Sequence, residues 1–384
     1  MRDRTVCALS ARLQAGEITS EALVAECIRR VESFPSQDAF VFLDAERALA
    51  SARASDERRK KGIARGALDG IPFALEDRFC TKGTPTENGC RMLSGYLPIY
   101  DAEIVNRLRA EGAILLGKLA TDGFLAGSVQ IKRAAAITTK MLAEGAFPFA
   151  ICADTGGSAF CEEAKAVVSR FSNQQLDRSG LISVAPSFDG IAAVTQNIGD
   201  ATLLFEILSS FVNEPRCLKK GNSPGIIDLD LTDFSLEKVR KSYRILSAVE
   251  TASEMALYDG IRFGASADES ESVDARVSKT RGTFFSYDEK KMILLGTALL
   301  MDGRRETCYL PARACREEAR KKVDAILTRA DVIRIPLSEQ TAFLPSYLGL
   351  SAIAADQTIL MTSEERGRLL FDAVTFREDG AAHE

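Results

Sequence analysis

The chain has 384 residues, of which 46% are hydrophobic and 27% charged, and its formal net charge is −5. This acidic balance argues against a large surface for direct nucleic-acid binding, because such surfaces neutralise phosphates with basic residues. No apolar run approaches the ~20 residues that span a bilayer, and the N-terminus carries no signal or transit peptide pattern. We therefore expect a cytoplasmic protein without membrane segments and without a direct nucleic-acid partner.

Histidine and cysteine usage restricts the available chemistry. The single histidine is His383, in a tail at residues 379–384 that we predict to be disordered. Ser-His-Asp, Cys-His and histidine-metal mechanisms are thereby excluded, so a base must be a lysine, a carboxylate or water. The nine cysteines are scattered and form no C-x-x-C pair, and Cys80 and Cys90 have no histidine nearby. We therefore expect reduced thiols, no metal site and no cofactor.

Two helices are predicted near the N-terminus. Thr19 or Ser20 caps a segment whose apolar residues share one face, and Pro35 ends it. A second, more polar helix covers about residues 44–61. Its charged end, residues 56–61, is predicted to be a solvated helix face and not a binding patch.

The next segments alternate between strand and helix patterns. Residues 68–83 contain a turn and a short buried strand, residues 101–111 a helix, and residues 113–117 a strand. Residues 147–152 form another apolar strand that leads into residues 154–158. This alternation is typical of an α/β fold with a large mixed sheet flanked by helices.

The second half of the chain shows no clear domain boundary. Residues 213–232 are polar and contain prolines and glycines, which predicts a surface connection. Strand and helix patterns then resume through residues 333–336, and a final helix is predicted over about residues 363–375. We therefore predict one domain over residues 1–384.

The run Asp154-Thr-Gly-Gly-Ser158 is the first candidate for chemistry. Two glycines after a strand allow a tight turn that directs several backbone N–H groups to one point. Such a nest can stabilise the negative charge of a tetrahedral intermediate. The same five residues are also compatible with an ordinary Gly-Gly turn capped by a serine.

The surrounding sequence resembles the amidase-signature family. Residues 68–83, beginning Leu68-Asp-Gly-Ile-Pro, are similar to its opening block, residues 100–118 to the next block, and residues 154–158 to the nucleophile block. Within the family, residues 252–264 resemble the A subunits of glutamyl-tRNA(Gln)/aspartyl-tRNA(Asn) amidotransferases. The resemblance is colinear over most of residues 9–375 and implies the amidase-signature fold.

The resemblance implies a Ser–Ser–Lys triad that is incomplete in this chain. The nucleophile position is Ser158, and the oxyanion N–H groups would come from Thr155, Gly156, Gly157 and Ser158. The lysine position holds Glu76, which reverses the charge where the family uses a neutral amine as base. An ionised glutamate is a weak base, and burial would favour its protonated form.

Two further departures from the family pattern affect the site. The Gly- and Ser-rich loop that carries the bridging serine is missing from residues 126–136, and Ser128 belongs to an earlier block, so the bridging serine is absent. The pocket segments also differ: residues 159–163 and 304–308 depart from the family sequence, and the region around residues 344–348 is shortened. Glutamine recognition is therefore not carried over.

These losses favour a pseudoenzyme that acts as a scaffold or regulatory subunit. The implied partners are proteins, either amidotransferase B- and C-subunit-like chains or an active paralogue. The alternative is an active amide hydrolase or glutaminase that uses Ser158 with Glu76 or water as base. A third alternative is a decaying gene product. Lys82 and Lys118 match family lysines outside the triad, so we do not expect either to replace the missing base.

Overall fold

The computed structural model describes most of the chain. The described residues are 4–36, 39–125, 133–160, 166–172, 175–209, 224–232, 234–267, 272–363 and 366–374. Ser128, His383 and the predicted tail at 379–384 lie outside these ranges, as do residues 213–223 of the predicted connection.

The described chain contains helices and strands in alternating groups. The helices are α1 Val6–Gln14, α2 Ser20–Glu32, α3 Ala45–Lys60, α4 Glu103–Ala110, α5 Arg133–Ala143, α6 Ile198–Leu208, α7 Leu236–Glu254, α8 Val273–Phe284, α9 Tyr287–Leu299, α10 Leu310–Leu327 and α11 Leu344–Leu348. The strands are β1 Phe40–Leu43, β2 Pro72–Glu76, β3 Ile114–Leu119, β4 Phe149–Thr155, β5 Val167–Phe171, β6 Asp189–Thr195, β7 Ile226–Asp228, β8 Val332–Pro336, β9 Ser351–Ala355 and β10 Thr358–Thr362.

All these strands join one mixed sheet in the order β1-β3-β2-β4-β6-β5-β9-β10-β8-β7. β2 runs parallel to β3 and β4, whereas β4, β6, β5, β9 and β10 pair antiparallel. Helices α2 and α3 pack against β2 and β3, α5 and α6 against β4 and β6, and α10 against β8. This architecture confirms the predicted α/β class, a large mixed sheet flanked by helices.

The central strands are apolar because both of their faces are covered. All five residues of β2 and all seven of β4 are buried, as expected for interior strands packed on two sides. Since β2 and β4 are parallel neighbours, their carboxyl ends lie at the same edge of the sheet. The chain thereby places Glu76, at the end of β2, close to the loop that follows Thr155.

Most of the predicted elements are confirmed, with two differences in the second half. The helix predicted over 363–375 begins only at residue 369 within the described part, after β10 and a turn in which Gly367 lies against Phe205. Within the predicted connection, β7 forms an exposed edge strand parallel to β8. Three residues with one apolar pair gave too short a pattern to predict that strand.

Candidate active site

The Ser158 hydroxyl is hydrogen-bonded to its own loop. Its Oγ accepts from the Thr155 N–H at 3.0 Å and donates to the Ala153 carbonyl at 3.4 Å. The Gly156 N–H donates to Ser346 Oγ at 2.9 Å. Two of the four N–H groups predicted to form the oxyanion nest are therefore already bound to serine side chains of this chain.

The two glycines of the loop are required by close packing. Gly156 and Gly157 have φ values of +62° and +81°, a region that favours glycine. A Cβ on Gly156 would lie 1.7 Å from Tyr243 Oη, and one on Gly157 would lie 2.3 Å from the Ala342 carbonyl oxygen. The loop is thus packed closely against Tyr243 and Ala342 in the C-terminal half of the chain.

Two buried ion pairs anchor the loop from below. Arg78 Nη1 donates to Thr155 Oγ1 at 3.0 Å, and Arg78 Nη2 lies 3.2 Å from Asp189 Oδ1. Arg170 Nε lies 2.8 Å from Asp154 Oδ2. All four charged side chains are almost completely buried, so their charges are compensated inside the protein by these partners and by further hydrogen bonds, such as those that Asp189 accepts from Ser183 and Val184.

Sequence reasoning missed these ion pairs. Arg170 and Asp189 belong to strands that are otherwise apolar, and a charged residue inside such a strand needs a buried counter-charge. That signal was present in the sequence. The identity of each partner depends on strand order, which the sequence pattern does not give.

Glu76 is buried beside the same loop. Its Oε2 accepts from the Ala153 N–H at 2.7 Å. Burial raises the pKa of Glu76 to about 7, although the positive charge of Arg78 and hydrogen bonds from Thr121 and Ala153 act in the opposite direction. Near neutral pH, the carboxyl group is therefore divided between its charged and neutral forms.

Glu76 and Ser158 line the same small cavity. Its volume is about 20 Å³, and its walls include Asp122 and the alanine-rich start of α5 at Ala134 and Ala135. A cavity of this size holds about one water molecule. The predicted pair of residues is therefore brought together at one small cavity.

The two lysines considered as replacement bases lie in different environments. Lys118 is fully buried, and its Nζ donates to the Phe79 carbonyl at 2.5 Å and to Thr86 Oγ1 at 3.1 Å. Burial lowers the pKa of Lys118 to about 8, partly offset by Asp77. Lys82 is exposed and lines a separate cleft. Neither lysine is among the described residues that line the cavity of Ser158.

No metal site is found among the residues that the structure describes, where no group of three or more His, Cys, Asp or Glu side chains is placed to hold an ion. Cys80 and Cys90 are free buried thiols. Within the same part of the chain, no helix has the length and apolar content needed to cross a bilayer.

Comparison with known proteins identifies the family. A family model described as Amidase matches residues 22–140. The A-type subunit of the glutamyl-tRNA(Gln) amidotransferase of Chloroflexus aurantiacus is 30% identical over 88% of this chain and 82% of the relative. The chain belongs to the amidase-signature family. Among other amidase-signature relatives, the corresponding protein of Anaeromyxobacter dehalogenans is 29% identical over 87% of this chain and 81% of the relative.

Solved amidase-signature structures have the same fold. A crystal structure of an amidase has a TM-score of 0.77 at 22% identity and covers 97% of this chain and 99% of its own. A protein from a vestigial complex that reveals the origins of an s-triazine catabolic enzyme has a TM-score of 0.76 at 18% identity, covering 98% of both chains. The peptide amidase of Stenotrophomonas maltophilia has a TM-score of 0.71 at 18% identity, covering 98% and 97%. At these identities the likeness establishes the fold and leaves the activity open.

Proposed function

We propose that this amidase-signature protein is a non-catalytic, A-subunit-like component of a protein complex, acting as a scaffold or regulatory subunit. Its partners would be B- and C-subunit-like chains of a tRNA-dependent amidation complex, or an active paralogue. The proposal rests on the site: Glu76 stands at the position of the family lysine, and the hydroxyl of Ser158 is hydrogen-bonded within its own loop.

The main support for this proposal is the small volume of the cavity between Glu76 and Ser158. An amide substrate must place its carbonyl carbon within reach of the Ser158 oxygen and its carbonyl oxygen among backbone N–H groups. A cavity of about 20 Å³ has room for about one water. Binding a substrate there would require displacement of Ser346 from the Gly156 N–H, which costs an internal hydrogen bond.

A serine-reactive fluorophosphonate probe tests the loss of catalysis. We expect labelling of the native protein to equal that of Ser158→Ala, because the triad lysine is replaced by Glu76 and the Ser158 hydroxyl is hydrogen-bonded within its own loop. Release of ammonia from glutamine should also equal that of the variant. Saturable labelling that disappears in Ser158→Ala would overturn the proposal.

Purification from the source cells under mild conditions tests the complex. The Chloroflexus relative is named as one subunit of an amidotransferase, and one structural neighbour comes from a protein complex, which supports the expectation of protein partners. We expect a tagged chain expressed at its native level to elute with at least one stoichiometric partner, measured by light scattering. If the chain elutes as a monomer under these conditions and is not labelled by the fluorophosphonate, the scaffold role is contradicted. The loss of catalysis would still hold.

The alternative function is an active amide hydrolase in which Glu76 is the base. The observation in its favour is that burial raises the pKa of Glu76 to about 7, where a carboxylate becomes a better proton acceptor. This mechanism predicts hydrolysis that rises with pH through about 7 and is lost in both Glu76→Gln and Ser158→Ala. Hydrolysis that is absent at all pH values, or unchanged in either variant, would exclude it.

A further inference from the structure

A second cavity, larger than the one at Ser158, lies beside β1 and β3 at one edge of the sheet. It has a volume of about 470 Å³ and lies among α3, these two strands and the segment at residues 82–84. We call it the cationic cleft because five basic side chains and one carboxylate, Asp44, line it. The basic residues are Arg47, Arg58, Arg65, Lys82 and Arg109. Their concentration is unusual in a chain with a net charge of −5.

The arginines of the cationic cleft are held in place by hydrogen bonds. Arg47 Nη1 donates to Thr84 Oγ1 at 3.2 Å, and Arg65 Nη1 donates to the Arg109 carbonyl at 3.0 Å. Arg58 Nε donates to Asp69 at 3.2 Å. Each guanidinium has five N–H donors, so these contacts fix its position and leave donors for a ligand. A site that is ordered before binding loses less entropy when the ligand arrives.

Nearby carboxylates compensate only part of this positive charge. Asp44, Asp69 and Asp101 form ion pairs with Arg47, Arg58 and Arg109, so five cations and three carboxylates leave a balance of +2. The two remaining cations are Arg65 and Lys82, for which the described part of the chain provides no carboxylate in ion-pair contact. Glu111 packs against Gly66 beside the cleft and does not line it.

Part of the remaining wall is apolar, and Ser51 and Thr84 add two hydroxyl groups. Phe42, Ala54, Ile114 and Leu115 are among the apolar residues that line it. Cavities of roughly 300 to 1,000 Å³ with an apolar lining and a few fixed polar groups are typical sites for small organic ligands. The cationic cleft therefore offers a surface for the organic part of a ligand as well as charges for an anionic part.

We propose that the cationic cleft binds a small organic phosphate. A phosphate monoester carries a charge of about −1.5 to −2 near pH 7, which matches the two uncompensated cations, whereas a carboxylate carries only −1. Guanidinium groups also match the geometry of phosphate oxygens through paired N–H donors. The proposal is independent of whether Ser158 is catalytic, because the two cavities share no lining residue.

The cleft changes the interpretation of the charged end of α3. The sequence predicts a solvated helix face at residues 56–61, but the side chain of Arg58 is only 20% exposed and lies against Asp69. Lys60, two positions later, is 71% exposed and pairs with Glu57 on the solvent side. One side of the helix end therefore faces the cleft and the other faces water, which provides a matched control.

Calorimetric titration with adenosine monophosphate and with pyrophosphate tests the proposal, and adenosine is the uncharged control. We expect saturable binding of both phosphates and none of adenosine. Lys82→Ala and Arg65→Ala each remove one charge-assisted contact, so each should weaken binding about tenfold. Lys60→Ala makes the same charge change outside the cleft and should alter binding less than about twofold.

Three outcomes would overturn the proposal. The first is an affinity weaker than about 1 mM for both phosphates. The second is an equal loss of binding in Lys60→Ala, which would indicate a general charge effect. The third is that transfer RNA or anionic vesicles bind, and that this binding is lost in the Lys82 and Arg65 variants but is not competed by either small phosphate. All three variants change exposed side chains, and unchanged thermal unfolding will verify that they fold.

Discussion

The Ser158 loop and the cationic cleft use charged and polar groups in opposite ways. Around the Ser158 loop, the charges of Arg78 and Arg170 are buried and paired inside the fold, and the cavity measures about 20 Å³. In the cationic cleft, the cations surround about 470 Å³ of space, and the charges of Arg65 and Lys82 face solvent. At the family site, hydrogen-bonding groups are occupied by this chain's own side chains, whereas in the cleft two cations have no carboxylate in ion-pair contact within the described part of the chain.

This contrast determines what binding costs in each region. A substrate at the Ser158 loop must replace hydrogen bonds that the protein already makes, and each broken buried bond costs about 1–3 kcal/mol. A ligand in the cationic cleft replaces water around cations that have donors to spare. Charge removed from the loop should therefore reduce stability, and charge removed from the cleft should reduce ligand binding.

The largest effect is expected from breaking a buried pair under the loop. Arg78→Met leaves Asp189 buried without its counter-charge, which should lower the free energy of unfolding by about 3–5 kcal/mol. Arg47→Met removes a half-exposed cation of the cleft and should change the free energy of unfolding by less than about 1 kcal/mol. Urea unfolding of both variants measures the contrast. An equal loss of unfolding free energy in the two variants would show that charges at the loop and in the cleft contribute equally to stability.

A smaller effect concerns the dependence of stability on pH. The pKa of Glu76 is about 7 in the fold and near its ordinary value of 4.5 in the unfolded chain, so the folded protein binds more protons between these values. Stability contributed by the neutral carboxyl is complete below pH 4.5 and is lost as pH rises through 7. Glu76→Gln stays neutral, and should therefore be more stable than the native protein at pH 8 by on the order of 3 kcal/mol.

Arg78 and Asp122 face Glu76 and act on its pKa in opposite directions. The native protein is therefore best compared with a variant in which only Glu76 is changed. The native protein and Glu76→Gln should have equal stability near pH 4.5 and should diverge above it, as measured by urea unfolding. Lys60→Ala serves as the control without a buried titrating group. Parallel curves at all pH values would mean that the pKa of Glu76 is the same in the folded and the unfolded chain, which would contradict the raised pKa on which the hydrolase alternative also rests.

Periodicity and family resemblance predict much of this fold. The apolar run of β2 and the helix–strand alternation up to β4 give the mixed sheet, because burial on two faces leaves a clear local pattern. The proximity of Glu76 and Ser158 also follows, since parallel neighbouring strands end at one edge. The three-residue edge strand β7 and the late start of the final helix carry too little pattern to be predicted.

The closure of the site could not be predicted from local sequence. The contacts of Gly156 with Tyr243 and Ser346 join segments far apart in the sequence, 190 residues for Ser346, and they depend on packing between distant elements. The cationic cleft is similar, because Arg58, Lys82 and Arg109 come together only when α3 packs against β3. Taken in sequence, each of these residues is an ordinary surface charge.

The smallest effect, and the one that best separates the two functions, concerns the Ser158 hydroxyl. It accepts from the Thr155 N–H, which is buried, so Ser158→Ala leaves that donor without its partner and should destabilise the fold by about 1–2 kcal/mol. Serines poised for catalysis often reduce stability, so their removal is neutral or stabilising. Ser346→Ala, which frees the Gly156 N–H, is the matched control and should cost a similar amount. A gain in stability confined to Ser158→Ala would show that this hydroxyl is held for reaction and not for structure.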